Sequence, residues 1–179
     1  DTLATFLADK LDAAHDVAAL LRQTAPGEAD IRHGLIAVTV DARGGGGASD
    51  VIGYRAKKHA GLVDMAKNDH YDPAEFWDPV VSRPGSGVVL DPNDFYILAS
   101  KEALTVPADH AAEMLAYDTV VGEFRVHYAG FFDPGFGDAE AGGAGARAVL
   151  EVRSHDVPFM VEDGQVVGRL LYERLTARP

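Results

Sequence analysis

Cysteine is absent from the 179 residues, which excludes disulfides and any metal site built on thiolate ligands. A reducing compartment is compatible with that, and the expected location is cytoplasmic. Long apolar runs are absent as well. None approaches the ~20 residues that a membrane-spanning helix needs, no signal peptide is visible in the sequence, and no membrane partner is expected. Basic residues are scarce: 16 Lys and Arg stand against 28 Asp and Glu, a formal net charge of −12. That balance argues against a dedicated nucleic-acid or anionic-lipid surface. It leaves open an anionic small molecule held by a local cation cluster or carried with a metal ion.

What is present is ordinary for a globular protein, with 47% apolar and 25% charged residues. The length suits one domain with a full core. Nineteen glycines beside 8% aromatics point to many turns and short strands. The chain opens DTLATF, without methionine, and is expected to be part of a longer polypeptide.

Leu3, Phe6, Leu7, Leu11, Ala14, Val17, Leu20 and Leu21 recur three and four apart, which predicts an amphipathic helix within residues 1–28. Pro26-Gly27 ends it. From Gly34 the pattern becomes β-like: GLIAVTV, VIGYRAK, GVVL, FYILAS, EFRVHYA, RAVLEV, VPFMV and QVVGRLLYE. GGGG at 44–47, RPGSG at 83–87, DPND at 91–94 and EDGQ at 162–165 separate these runs. Residues 62–80 read as an irregular connection pinned by Phe76 and Trp77. The sum is a mainly β sandwich or barrel, one domain over 1–179 with its β core at 34–175.

Several patterns carry little chemistry. GGGG lacks the Gly-Lys-Ser/Thr continuation of a phosphate loop and is better read as a hairpin tip. Ser154-His155-Asp156 are strand neighbours that point to opposite faces, unlike a catalytic triad. His70, Asp72, Glu75 and Asp78 match no metal-ligand spacing, so no protein-held metal is expected. Lys57, Lys58 and His59 read as a solvated strand end rather than a phosphate contact.

The stretch HYAGFFDPGFG, 127–137, is different: rings, glycines and one proline surround a single acid, Asp133. A proline turn with core phenylalanines explains the rings but not the acid. After it comes DAEAGGAGA and then RAVLEVRS, where Glu151 sits beside Val149 and Leu150. A carboxylate in apolar surroundings is poorly solvated and has its pKa raised, which suits a general base or proton shuttle. The competing reading turns Glu151 to solvent with Arg147 and Arg153, since residues 147, 149, 151 and 153 share one face. Periodicity leaves the two open.

The segment AGFFDPGFG, AVLEVRS and VPFMVEDGQVVGRLLYERL resembles the core of the dCTP deaminase and dUTPase family. Upstream, DPNDFYILASKEALTVPADHAAEM is similar to that family's strand, Thr/Ser-x-Glu and Val/Leu-Pro-x-Asp pattern, and GLIAVTVDARG resembles its early strand. The chain looks like the C-terminal half of a tandem-domain bacterial member. The resemblance implies a dUTPase-like (β-clip) distorted barrel with an N-terminal helix, in a trimer-like assembly of domains or a homo-oligomer.

It also implies hydrolytic deamination of dCTP to dUTP and ammonia, in deoxypyrimidine nucleotide metabolism. Zinc deaminases carry H-x-E and P-C-x-x-C signatures, neither of which occurs; the resemblance implies a glutamate base, Glu151, without zinc. By similarity Asp133 takes the 3′-hydroxyl and Phe136 lies under the sugar. Ala129 and Phe132 border the base, and backbone near Phe132 and Val149 reads its edge. Magnesium is implied only as the ion bound with the triphosphate. Two departures stand out. LAYDTVV lies where the Ser-Ser-x-x-Arg motif is expected, and Pro179 ends the sequence without the tail that covers the triphosphate in single-domain members. Arg125, Arg147 and Arg153 are the local candidates for phosphate. Alternatives are dUTP diphosphatase or bifunctional chemistry, and a non-catalytic half that assembles or regulates an active one.

Overall fold

The computed structural model describes residues 31–32, 35–43, 50–82, 87–116, 124–127, 130–139, 142–154 and 156–177. In chain order its strands are β1 (Ile31–Arg32), β2 (Leu35–Thr39), β3 (Val51–Ala56), β4 (Trp77–Val81), β5 (Val88–Leu90), β6 (Phe95–Leu104), β7 (His110–Ala116), β8 (Phe124–His127), β9 (Phe131–Phe132), β10 (Ala146–Ser154), β11 (Phe159–Val161) and β12 (Val166–Arg174). The predominance of β structure is as the sequence predicts. The helix expected within 1–28 and the GGGG tip lie outside the described residues.

Two five-stranded sheets carry the fold, in the orders β1-β2-β12-β7-β9 and β4-β3-β6-β10-β8. Strands β5 and β11 form a separate antiparallel pair. Strict alternation explains how β10 serves a core: Ala148, Leu150 and Val152 are buried while Arg147, Val149, Glu151 and Arg153 face out. Ile36 and Val38 of β2, Leu98 of β6 and Leu170 and Tyr172 of β12 meet them in one cluster. Full burial of one such aliphatic side chain contributes about 1.5–3 kcal/mol. Tyr172 sits there because its hydroxyl donates to the Thr105 carbonyl at 3.2 Å, and burial pushes its pKa up.

The two sheets join at a corner. Val40 bridges Ser100 across the sheets, and the Asp41 amide donates to the Ala99 carbonyl at 3.0 Å.

Four strands lie outside the β-like runs of the sequence: the two-residue β1, which precedes the expected core start at 34, the two-residue β9, and the longer β4 and β7. Strand β4, Trp77–Val81, begins inside the stretch 62–80 that reads as an irregular connection. It forms an outer strand of its sheet, where Pro79 removes no ladder bond that the sheet interior requires. Strand β7 was not among the β-like runs, because HAAEMLA has helix-favouring composition. Pairing with β12 along its whole length, from His110 to Ala116, overrides that preference.

The EDGQ turn closes the hairpin that returns to the corner, with Gly164 at φ 77°. Asp163 beside it accepts from Lys101 Nζ at 2.6 Å and the Ala42 amide at 3.2 Å, and meets Arg43 Nε at 3.0 Å. Burial works to raise this carboxyl; the Lys101, Ala42 and Arg43 contacts outweigh it and hold the pKa below the ordinary value. A depressed folded-state pKa contributes stability that is complete above the unfolded carboxylate value and is lost as pH falls through the folded one. Asp163→Asn is therefore expected to cost about 1–2 kcal/mol at pH 7. In denaturant titrations the gap should hold from pH 8 to 5 and close below about pH 4.

Candidate functional site

The FFDPGFG turn is held from three sides. Strand β9 pairs with β7 through Ala112↔Phe132 and Glu113↔Phe131. Beyond it the Phe136 amide donates to the Asp133 carbonyl at 3.0 Å, closing the turn over Pro134 and Gly135. The Val106 amide then donates to Phe136 and the Gly135 amide to Val106, at 2.8 and 3.0 Å. Phe132 and Phe136 are half-buried and meet edge to face, 5.1 Å between centroids. Both pack on the core, which leaves Asp133 exposed between them. The rings anchor the turn, and the acid is the part offered outward.

Gly137 explains why the turn ends where it does. It adopts φ +64°, and an added Cβ would stand 2.3 Å from the Leu104 carbonyl oxygen and 2.7 Å from the Ala146 nitrogen. The Gly145 amide donates to Gly137 at 2.8 Å. The small-residue loop between them is thus an excursion closed at its neck, and β10 starts beside the turn.

Glu151 lies five residues beyond Ala146, roughly 16 Å of strand. It is exposed on the outward face, with Arg147, Val149 and Arg153. The apolar neighbour Leu150 points into the core at 1% exposure, whereas Val149 is 68% exposed. The solvent-facing reading of Glu151 therefore describes the single chain. Its register partners are Ile97 on β6 and His127 on β8. From His127 the chain runs through Gly130 and leaves this sheet for β9 and Asp133. Glu151 stands opposite one end of that crossing and Asp133 at the other.

A recess of about 310 Å³ opens on the same face, lined by Tyr54, Ile97, Ala99, Arg147 and Val149 among others. A larger one, about 490 Å³, lies by Arg55, Asp78 and Tyr96, away from Glu151.

The arginine candidates divide. Arg153 lies over the Phe95 ring, 5.0 Å from its centroid. Arg147 donates from Nε to the Ser100 carbonyl at 2.6 Å and from Nη2 to Asp41. Arg125 occupies the position on β8 opposite Arg153. Ala129 lies outside the described residues, as does the LAYDTVV stretch from Tyr117 to Val121. Asp41 and Ser100 were missed as functional candidates. Their only sequence signal was an acid at the end of an apolar strand and a serine in the Ser-x-Glu pattern.

The remaining patterns have structural employment. Lys58 Nζ meets the buried Asp94 carboxylate at 2.7 Å, and that hydrogen bond raises the lysine pKa. Lys57 donates to the Ala74 carbonyl at 2.6 Å. Asp72 caps the 3₁₀ turn Pro73–Glu75 by accepting from the Ala74 amide at 2.9 Å. Asp78 faces Arg55 and Lys57 at 3.5 and 3.7 Å.

The family model for the C-terminal domain of 2′-deoxycytidine 5′-triphosphate deaminase matches residues 7–179. The chain belongs to this family. The crystal structure of 2′-deoxycytidine 5′-triphosphate deaminase from Agrobacterium tumefaciens is similar at 56% identity and a TM-score of 0.72. That match covers 78% of this chain and 42% of the other. Two curated relatives are named dCTP deaminase, dUMP-forming. The one from Clavibacter michiganensis is 28% identical, over 70% of this chain and 62% of its own length. The one from Mycobacterium sp. (strain KMS) is 30% identical, over 65% and 60%. The chain spans less than two thirds of the length of these relatives and less than half of the Agrobacterium chain.

The crowding at Gly137 gives a test of the turn. Gly137→Ala is expected to destabilise by more than about 2 kcal/mol, and Gly142→Ala by only about 1–2 kcal/mol. Both positions have positive φ, but nothing lies within 4 Å of the Gly142 Cβ position. Equal losses in urea unfolding would mean that φ strain, not the Leu104 and Ala146 contacts, sets the cost.

Proposed function

We propose that this chain is one dUTPase-like, β-clip domain of a tandem chain and takes part in hydrolytic deamination of dCTP. The family match over residues 7–179 carries this reading. The substrate enters as its magnesium complex, which reduces the repulsion between a triphosphate and an acidic protein.

In the proposed chemistry Glu151 takes a proton from water as the oxygen attacks C4 of cytosine. The same carboxyl passes that proton to N3. It then takes the proton of the new C4 hydroxyl and gives it to the amino group, which leaves as ammonia while C4=O forms and the C4–N bond breaks. Water and dCTP become dUTP and ammonia, with every proton accounted for. Asp133 accepts the deoxyribose 3′-hydroxyl, and Phe136 occupies the space that a 2′-hydroxyl would need. Backbone groups near Phe132 and Val149 read the base edge. The exposure of Glu151 favours a site completed by a neighbouring domain, which would also supply the phosphate contacts missing from LAYDTVV.

The curated relatives named dUMP-forming favour a second reading. There the triphosphate is also cleaved, by a second water attacking the α-phosphorus, and the products are dUMP, pyrophosphate and ammonia. A third reading, a non-catalytic half, draws on the same exposure of Glu151.

These readings separate in one assay of the full-length protein with magnesium and dCTP, following ammonia and phosphorus-31 signals. The expected product is dUTP. Glu151→Gln is expected to lower turnover by at least about 10²–10⁴-fold while dCTP still binds. Pyrophosphate appearing in step with ammonia would establish the bifunctional reading. Undiminished turnover by the Glu151→Gln variant would remove Glu151 from the chemistry.

A further inference from the structure

The pairing of β10 with β6 changes register in mid-strand. Ala146↔Leu104 and Arg147↔Ala103 belong to one register, and Val149↔Ala99 through Arg153↔Phe95 to another. Ser100, Lys101 and Glu102 therefore stand opposite Ala148 alone, a bulge carrying two extra residues on β6. A two-residue shift leaves every side chain on its own face. What it changes is position along the strand. In the first register continued, Glu151 would face Ala99; in the observed one it faces Ile97, a displacement of roughly 7 Å.

A bulge breaks ladder bonds, and its polar groups need other partners. The Ala148 amide donates to Ser100 Oγ at 2.8 Å, and that hydroxyl donates to the Glu102 carbonyl at 2.8 Å. The Ala99 carbonyl accepts from the Asp41 amide at 3.0 Å. The Ser100 carbonyl accepts from Arg147 Nε at 2.6 Å. Arg147 is itself held by the Asp41 carboxylate, from a residue that is 7% exposed. Arg147 thus satisfies a bulge carbonyl, and the Asp41 carboxylate holds Arg147 in place there.

From this we infer that Arg147 and Asp41 are positioning residues: they hold the bulged register and so set the place of Glu151 along β10. The consequence for catalysis rests on the deaminase reading; the register role does not. Without the guanidinium, the Ser100 carbonyl and the Asp41 carboxylate lose their shared partner, and the slipped register gains relative to the observed one. Arg147 acts on the reaction through Glu151 and not through the phosphates.

Two measurements test this together. Interstrand NOEs in the labelled chain report whether Glu151 faces Ile97 or Ala99. Kinetics of the full-length protein report kcat and KM separately. Arg147→Met is expected to weaken the Glu151–Ile97 NOEs and to lower kcat by about 100-fold, the scale of a misplaced reacting group. KM for dCTP should stay within about threefold, because uniform substrate binding is untouched. Arg147→Lys, which keeps a charge for Asp41, should recover part of kcat; Asp41→Asn should resemble Arg147→Met. If Arg147→Met does not fold, Arg147→Lys and Asp41→Asn give the same readings.

A raised KM with kcat and NOEs intact would make Arg147 a phosphate ligand and overturn the inference. A lowered melting temperature with kcat and NOEs unchanged would reduce it to a stability residue, which also overturns it. If the parent protein does not turn over dCTP but the NOEs shift as expected, the deaminase reading fails and the register role stands.

Discussion

One buried serine stands where the two sheets join. Ser100 is fully buried and sits where β2 and β6 meet, bridged to Val40. Its Oγ accepts from Ala148 and donates to Glu102, so a single side chain satisfies both strands of the bulge. The two residues after it reach elsewhere. Lys101 goes to Asp163 on the EDGQ hairpin, and Glu102 accepts from the Thr39 amide at 2.9 Å. Three consecutive side chains therefore fasten β10, the hairpin and β2 to one corner. The buried Ser100 hydroxyl is stabilising only while it keeps both partners.

The same corner explains how β10 serves two purposes. Its inward residues give the core Ala148, Leu150 and Val152, whose packing keeps the strand straight and on its face. Packing cannot decide where along the sheet an outward residue stops, because a two-residue slip exchanges one apolar residue for another. Hydrogen bonds are directional and can. The outward face is thus placed by the polar corner and the inward face by volume.

Much of this was legible in the sequence. Turn residues and alternation located most strands, and HYAGFFDPGFG with Leu150-Glu151 singled out a turn and a strand that the fold brings together at Ala146. The rest was hidden for physical reasons. Strand β7 carries alanines that favour a helix, and only its neighbours make it a strand. Strand β4 is masked by Pro79, which an outer position tolerates. The Asp41–Arg147 pair joins residues 106 apart in sequence, and no local period marks such a contact. Nor did Glu151 betray its setting: Val149 and Leu150 suggested apolar surroundings, but Leu150 faces the other way.

Charge bears on how an acidic chain meets an anionic substrate. Lys58, Lys57, Arg55, Lys101 and Arg43 each face an aspartate, so these cations are largely neutralised by their own network. Arg147 faces Asp41 in the same way. Arg153 is placed differently, over an aromatic ring on the Glu151 face. A cation on a ring keeps most of its field, since the ring attracts it without cancelling its charge. On the same face Val149 is 68% and Tyr54 46% exposed. A second domain laid on this face would remove water from apolar surface and from Glu151 at once. Charge interactions strengthen as water leaves, so on the proposed reading one contact both assembles the site and activates its base. An uncovered Glu151 is then the expected condition of this half alone.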